Sequence, residues 1–297
     1  MRSAIHTPIK KLPELLAPAG GVESACAALQ YGADAIYLGM TRFSARASAE
    51  NFTFDTLREI VGLAHSLSPR RKVYVTVNTL ILQHEISEVV RLLASLERAE
   101  VDGVIVQDLG VYRLIKHHFP LLKLHASTQM TVHNLEGAFM LAELGFSRVT
   151  LARELTFDEI KEITQKAGIE TEIFIHGALC YSYSGLCLFS SHAYGRSGNR
   201  GKCAYCCREL YSGTSDDKSF LFRSYCFSMK DLALVDFIPQ LINTGVSAFK
   251  IEGRMKSALY VSAVTDLYRK VIDGQLSLSQ INKMKNDIRT IFSRPWT

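Results

Sequence analysis

A parallel (β/α)8 TIM-like barrel in the α/β class is the fold this sequence predicts, and three observations predict it. Eight short apolar runs alternate with eight helical patterns along 297 residues, as the units of a parallel sheet do. Nearly every run ends in polar or special residues at its C-terminal tip, the rim on which barrels carry their sites. The one long departure from the alternation follows the seventh run, so a Cys-rich insert of about residues 178–229 would hang from that rim. A doubly wound open sheet shares the alternation and stands as the alternative. The chain reads as one domain over residues 1–297, with the barrel over about 10–275.

The elements follow in order. "ELLAPAG" precedes a helix over Val22–Tyr31, where Cys26 in "SACAAL" reads as a small buried side chain. "DAIYLGM" precedes Thr53–Ser66, "KVYVTVNTL" precedes Ile86–Ala99, and "DGVIVQD" leads into Val111–His118. "LKLHASTQM" leads into Leu135–Leu144, and "RVTLAREL" into Phe157–Lys166. That helix lies in "TFDEIKEITQKAG", which has a Thr cap, early acids and a closing Gly. "TEIFIHG" precedes the insert, after which Ala233–Thr244, "AFKIEGR" and Ala258–Ile272 finish the pattern. The strand tips carry Gly39, Asn78, Asp108, Gln129, Arg153-Glu154, His176-Gly177 and Glu252-Gly253-Arg254, among others. Any one tip can simply be where a polar loop begins. Eight on one rim would converge on a pocket.

Bulk properties narrow the function classes. Apolar residues make up 47 % and charged residues 21 %, an ordinary globular balance. A net charge of +5 permits a polyanionic partner without demanding one. The N-terminal "MRSAIHTPIKKLPELLAPAG" has no apolar stretch of signal-peptide type, and no run approaches the ~18 apolar residues of a membrane span. The expectation is a cytoplasmic protein with no membrane partner. In a reducing compartment, clustered cysteines are more often metal ligands or redox groups than disulfides.

Five of the seven cysteines lie between Ile175 and Leu210. From Cys180 the spacing runs six residues to Cys187, fifteen to Cys203 and three to Cys207. Four thiolates can hold zinc or an iron–sulfur cluster. Structural zinc usually takes two close pairs, and only Cys203 with Cys206 or Cys207 is one. On spacing alone a cluster, a zinc ion and no metal all stay open. Arg196, Arg200, Lys202 and Arg208 are interleaved with Tyr181, Tyr183, Phe189, Tyr194 and Tyr205. Such a mixture can neutralise phosphates and stack on unpaired bases, or be an ordinary solvated loop.

"EIFIHGALCYSYSGLCLFS" resembles the signature of the collagenase-like peptidase family of unknown catalytic type. "ELLAPAG", "GADAIYLG", "VNT", "HASTQ", "LARELTFDEI", "GRSGNRGKC", "CRELY", "SMKDL" and "FKIEGRMKS" resemble further blocks across nearly the whole chain. The resemblance implies an oxygen-independent hydroxylase of RNA pyrimidines, acting on the tRNA wobble uridine or a ribosomal RNA cytidine. It implies a 4Fe-4S cluster on Cys180, Cys187, Cys203 and Cys207, with prephenate as the oxygen donor. Cys207 is preferred to Cys206 because Cys207-Arg208-Glu209-Leu210-Tyr211 matches the family's fourth-cysteine block. RNA is the partner implied, and a homologous partner subunit is compatible with family members that work as a pair. The chain stops at "FSRPWT", where relatives continue, so the family's C-terminal extension is expected to be absent.

On that reading the rim would hold a small carboxylated donor through Arg153, Arg254 and Arg46, since arginine forks match carboxylates. Asn78 and Gln129 would contact substrate. Asp108, Glu154, His176 and Glu252 are candidates for proton transfer or orientation, and a structural salt bridge competes with each charged role. The peptidase label finds little in the residues. "HEISE" at His84–Glu88 lacks the second histidine of a zinc-protease helix, and "GRSGN" is not a nucleophile elbow. A structural-metal RNA-binding or assembly factor is the reading from a different class.

Overall fold

The computed structural model describes residues 12–214, 221–291 and 294–297. Strands β1 (Glu14–Pro18), β2 (Ala35–Gly39), β3 (Lys72–Val77) and β4 (Gly103–Val106) pair in parallel in chain order. The ladder continues through β5 (Leu124–Ala126), β6 (Arg148–Thr150) and β7 (Glu170–Ala178). Between them run α1 (Val22–Gln30), α2 (Phe54–Ser66), α3 (Ile86–Arg98), α4 (Leu109–His118), α5 (Leu135–Leu144) and α6 (Phe157–Lys166). The caps are those the residue types favour. Thr156 and Glu159 form a capping box, and Asn134 Oδ1 accepts from the Gly137 N–H.

Beyond β7 the next strand of the main sheet begins only at Asp231. The intervening segment holds a short helix, α7 (Phe189–Tyr194), and a hairpin of β8 (Tyr211–Thr214) and β9 (Leu221–Ser224), none of them anticipated. The acidic end of "SGTSDDKS" lies outside the described residues. β10 (Asp231–Ala233) then adds antiparallel to the end of β7. After it come α8 (Ile238–Thr244), β11 (Ala248–Ile251), α9 (Ala258–Ile272) and an unanticipated α10 (Leu278–Thr290). β11 pairs with β7 on one side and β1 on the other, and β7 also pairs with β6, so eight parallel strands close the barrel. The open-sheet alternative falls.

Two expectations are corrected. The helix expected over Ala233–Thr244 begins only at Ile238. Asp231–Ala233 instead extends to satisfy its backbone groups on β7, and Pro239 sits in the first helical turn, where its missing N–H is harmless. Cys26 is exposed rather than buried.

An apolar core fills the space between barrel and helices, as the periodicity requires. The barrel interior is different. Alternate strand residues point inward, and only Leu16, Ala35, Tyr37, Tyr74 and Ile105 form an apolar interior cluster. Beneath and beside it Arg148 Nη1 reaches Glu14 at 2.6 Å and Glu172 at 3.5 Å, while Lys250 Nζ donates to Glu172 Oε1 at 2.8 Å. Barrel interiors are usually packed with branched aliphatics. This one holds a balanced quartet of two cations and two carboxylates.

Candidate functional site

At the C-terminal ends of the strands lies a cavity of about 160 Å³. Tyr37, Phe174 and Lys250 line its depth. Arg46, Asn78, Gln129, Arg153, His176, Glu252 and Arg254 line its sides, and Cys180, Cys187 and Cys203 reach it from the segment after β7. Ten of the thirteen sequence-predicted site residues therefore line one cavity, and Asp108, Glu154 and Cys207 do not. Of the lining residues, Arg46 and Arg254 are engaged by neighbouring groups, as follows.

Glu252 is held from two sides. Arg46 donates to its Oε1 from Nε at 3.2 Å and from Nη2 at 2.9 Å, and the Tyr37 hydroxyl donates to its Oε2 at 3.1 Å. Burial pushes the Glu252 carboxyl up, but Arg46, Arg254 and Tyr37 outweigh it and hold it below the ordinary carboxylate range. The Glu252 charge in turn raises Arg46. This pair is one fixed unit, carboxylate and guanidinium together.

Arg254 lines the cavity and is largely committed to neighbouring groups. Its Nη1 donates to Ser44 Oγ at 2.8 Å and Thr76 Oγ1 at 2.7 Å, and its Nη2 to the Arg46 carbonyl at 3.1 Å and Asn51 Oδ1 at 3.3 Å. It is 3 % exposed, and burial lowers it to about 10, so it stays charged at neutral pH. Both Nη nitrogens are spent bracing β3 and the rim loop after β2, while Nε is buried without a partner. Asp108 does not line the cavity. Its Oδ1 accepts from the Val111 N–H at 3.0 Å as the cap of α4, and its Oδ2 from the Ile81 N–H at 3.1 Å. Glu154 stands outside the cavity lining. It accepts from the Ser184 N–H at 3.0 Å and meets His133 Nε2 at 3.0 Å, tethering the Cys-rich segment to the rim.

Arg153 and Gln129 have capacity left over. Arg153 uses Nε on Ser184 Oγ at 3.2 Å, and its terminal nitrogens have no partner among the described residues. Gln129 Oε1 is buried and unpartnered, which costs free energy unless something donates to it. Asn78 spends Oδ1 on the Ala45 N–H at 3.0 Å. His176 is 2 % exposed, and burial lowers it to about 4, so the ring is neutral. Its Nδ1 lies 3.2 Å from the Tyr268 hydroxyl, whose own proton goes to the Ile175 carbonyl at 2.9 Å. That network assigns the ring proton to Nδ1 and leaves the Nε2 lone pair free to accept.

The cysteines are all free thiols. Burial pushes Cys207 up, Arg208 pulls it down, and Cys180, Cys203 and Cys187 are near enough to raise it further. The four predicted ligands are thus in one electrostatic neighbourhood, with Cys207 behind the cavity lining. Among the described residues no three His, Cys, Asp or Glu side chains are placed to hold a single metal ion. Sulfurs around one tetrahedral zinc would lie ~3.8 Å apart, whereas ligands to separate irons of a cluster stand wider. Four thiols are a donor set that can serve either zinc or an iron–sulfur cluster. The Tyr205 N–H already donates to Cys203 Sγ at 3.4 Å. Cys206 is 2 % exposed, and its Sγ lies 3.6 Å from Ser190 Oγ, which also approaches Cys203 Sγ at 3.8 Å.

Local structure fixes this segment on the barrel. Arg208 donates to Ser228 Oγ, the Met229 carbonyl and the Leu179 carbonyl. Arg200 grips Glu85 through both Nη atoms at 2.9 Å, holding that carboxyl down at about 2. Gly177, at φ 109°, lets the chain turn where a Cβ would collide with the Glu252 carbonyl oxygen.

Among the lining residues that sequence reasoning did not place in the site are Tyr37 and Lys250. A signal existed for Lys250. It stands two residues before Glu252, so the period of a strand places both on the inner face.

The model of peptidase family U32 matches residues 20–297. The tRNA hydroxylation protein P1 of Bacillus subtilis is 40 % identical over 273 residues, covering 90 % of this chain and 64 % of its own length. The 23S rRNA 5-hydroxycytidine C2501 synthase of Escherichia coli is 41 % identical over 262 residues, covering 88 % of this chain and 39 % of its own. The chain thus spans under two thirds of either relative. A solved U32 peptidase superposes with a TM-score of 0.56 at 14 % identity, over 85 % of this chain and 97 % of that one, which bears on the fold alone. With the barrel, the rim cavity and a match over nearly its whole length, the chain belongs to peptidase family U32.

Proposed function

We propose that this chain is the barrel of an enzyme that hydroxylates a pyrimidine in RNA, a tRNA wobble uridine or a ribosomal RNA cytidine, without molecular oxygen. Relatives 40 % and 41 % identical are named for tRNA hydroxylation and for a ribosomal hydroxycytidine. The observation that carries the reading is the meeting of Cys180, Cys187 and Cys203 with Arg153 and Gln129 in one cavity. A redox-capable thiolate set, an open cation and an unsatisfied acceptor are three needs of such a reaction in one place.

Replacing a ring C–H by C–OH is a two-electron oxidation of the base. A donor must therefore surrender one oxygen atom and take up two electrons, and prephenate is the donor proposed. Cys180, Cys187, Cys203 and Cys207 would hold a 4Fe-4S cluster, which supplies electron storage when bound. Arg153 presents its terminal nitrogens to a donor carboxylate. Gln129 Oε1 accepts from an N–H of the flipped base. His176 Nε2, on a neutral ring, accepts a proton, while the Glu252–Arg46 unit fixes charge at the cavity side without releasing one. Tyr183, 64 % exposed at the mouth with its ring 5.8 Å from His133, offers a stacking face. RNA is the partner, and a homologous subunit is a second.

Mass spectrometry of tRNA and ribosomal RNA nucleosides from a deletion strain tests this. A hydroxylated pyrimidine should vanish and return with the gene, and the anaerobically purified protein should carry ~4 iron and ~4 sulfide per chain. An unchanged nucleoside profile defeats the reading.

A further inference from the structure

A second, larger pocket of about 610 Å³ lies on the other side of the rim loop from the candidate active site, between that loop and α3. Its apolar surface includes Phe43 and Phe54, and its cations are Arg42, Arg91 and Arg98. Phe54 opens α2 and is 43 % exposed, an uncommon amount for a large ring on a pocket wall. Arg42 is neutralised by Glu85 and Glu88 and covers the Phe43 ring at 4.9 Å. Arg91 has no side-chain partner among the described residues, and Arg98 donates only to Ser95 Oγ at 3.0 Å. Two uncompensated guanidinium groups therefore stand beside exposed aromatic surface, seven residues or about 10 Å apart on one helix face.

The rim loop joins this pocket to the cavity. Arg42 and Phe43 face the pocket, and Arg46 lines the cavity. The loop between is braced by hydrogen bonds. The Asn51 amide donates to the carbonyls of Arg46, Ala47 and Ala49 at 3.2, 3.2 and 2.9 Å, and Arg254 braces it from beneath. A chain with one unit in the cavity would cross this loop and reach the pocket next.

We propose that this pocket binds a nucleotide of the same single-stranded RNA, flanking the base held in the cavity. The base stacks on Phe54, and Arg91 and Arg98 take the neighbouring phosphates. Charge complementarity selects the occupant. Two open cations with no free carboxylate suit a polyanion, and ring faces suit unpaired bases of any sequence. The proposal rests on the RNA reading and adds to it a footprint wider than the reacting base.

Fluorescence anisotropy of the full chain with a uridine dodecamer and a uridine trimer, over a salt series, tests it. In Arg91→Ala/Arg98→Ala, dodecamer affinity should fall at least tenfold, and the salt slope should shrink by about 1.4 for two lost single-strand phosphate contacts. Phe54→Ala should weaken the dodecamer roughly tenfold with the slope unchanged. Trimer binding should stay within twofold in all variants. Lys161→Ala/Lys166→Ala, on α6 across the barrel, controls for net charge and should leave the dodecamer near wild type. Unchanged dodecamer binding in the arginine variant, or an equal loss in the α6 control, overturns the flanking site while the hydroxylation reading stands. Failure of the wild type to bind either oligomer overturns both. A dimer in sedimentation that the arginine variant dissolves makes the pocket a protein interface and also overturns it.

Discussion

Arg148 is 3 % exposed inside the barrel, where it meets Glu14 at 2.6 Å, Glu170 at 2.8 Å and Glu172 at 3.5 Å. Arg148→Met keeps most of the volume and removes the charge. Glu172 keeps Lys250, but Glu14 loses its nearest buried cation and retains Lys72, which is 46 % exposed. Removing one partner of a buried pair costs about 3–5 kcal/mol. For a domain of this size that is a fall in melting midpoint of roughly 6–12 °C. The pH dependence is the sharper test. In the wild type, burial pushes Glu14 and Glu172 up, yet their cations win and both lie below the ordinary carboxylate range. Their pairing therefore stabilises above the unfolded value of about 4.3 and is lost as pH falls through the lowered folded values. Without Arg148 burial dominates at Glu14, whose folded value rises above the unfolded one. The penalty is then small below about pH 4 and grows as pH climbs. Urea midpoints of both proteins from pH 4 to 8 measure it, and Glu14→Gln added to Arg148→Met should recover part of the loss. A gap constant across that range, or under ~1 kcal/mol at pH 7, refutes the reasoning.

Three further outcomes are expected. Serine at Cys180, Cys187, Cys203 or Cys207 should each abolish the brown colour and most of the bound iron of an anaerobic preparation. Cys206→Ser, at a buried thiol beside Ser190, should keep both. Asp108→Ala should lower stability by about 1 kcal/mol through the lost α4 cap and leave the hydroxylation rate within about twofold; a loss of rate at full stability would restore Asp108 to the site. An NMR titration should find His176 half-protonated at about pH 4. Because that folded value is depressed, the unfolded chain binds the extra proton between about 4 and 6.5, and the His176 contribution to stability rises with pH across that window. A midpoint near 6.5 would contradict its burial.

The alternation of strands and helices, the rim and the cysteine spacing could be read from residue order alone, because periods of 2 and 3.6 and capping chemistry are local. The fate of the polar tips could not. Asp108, Glu154 and Arg254 look alike in sequence to Gln129 and Arg153, yet a helix cap and a loop tether engage the first two, and a brace engages both Nη atoms of Arg254. The difference lies in partners such as Ser44, 210 residues from Arg254, and Glu252, 206 from Arg46. Whether a polar atom is spent or open depends on which distant groups barrel closure carries within hydrogen-bond reach. Only the closed tertiary structure decides that, because a hydrogen bond is set by separation in space and is indifferent to separation along the chain.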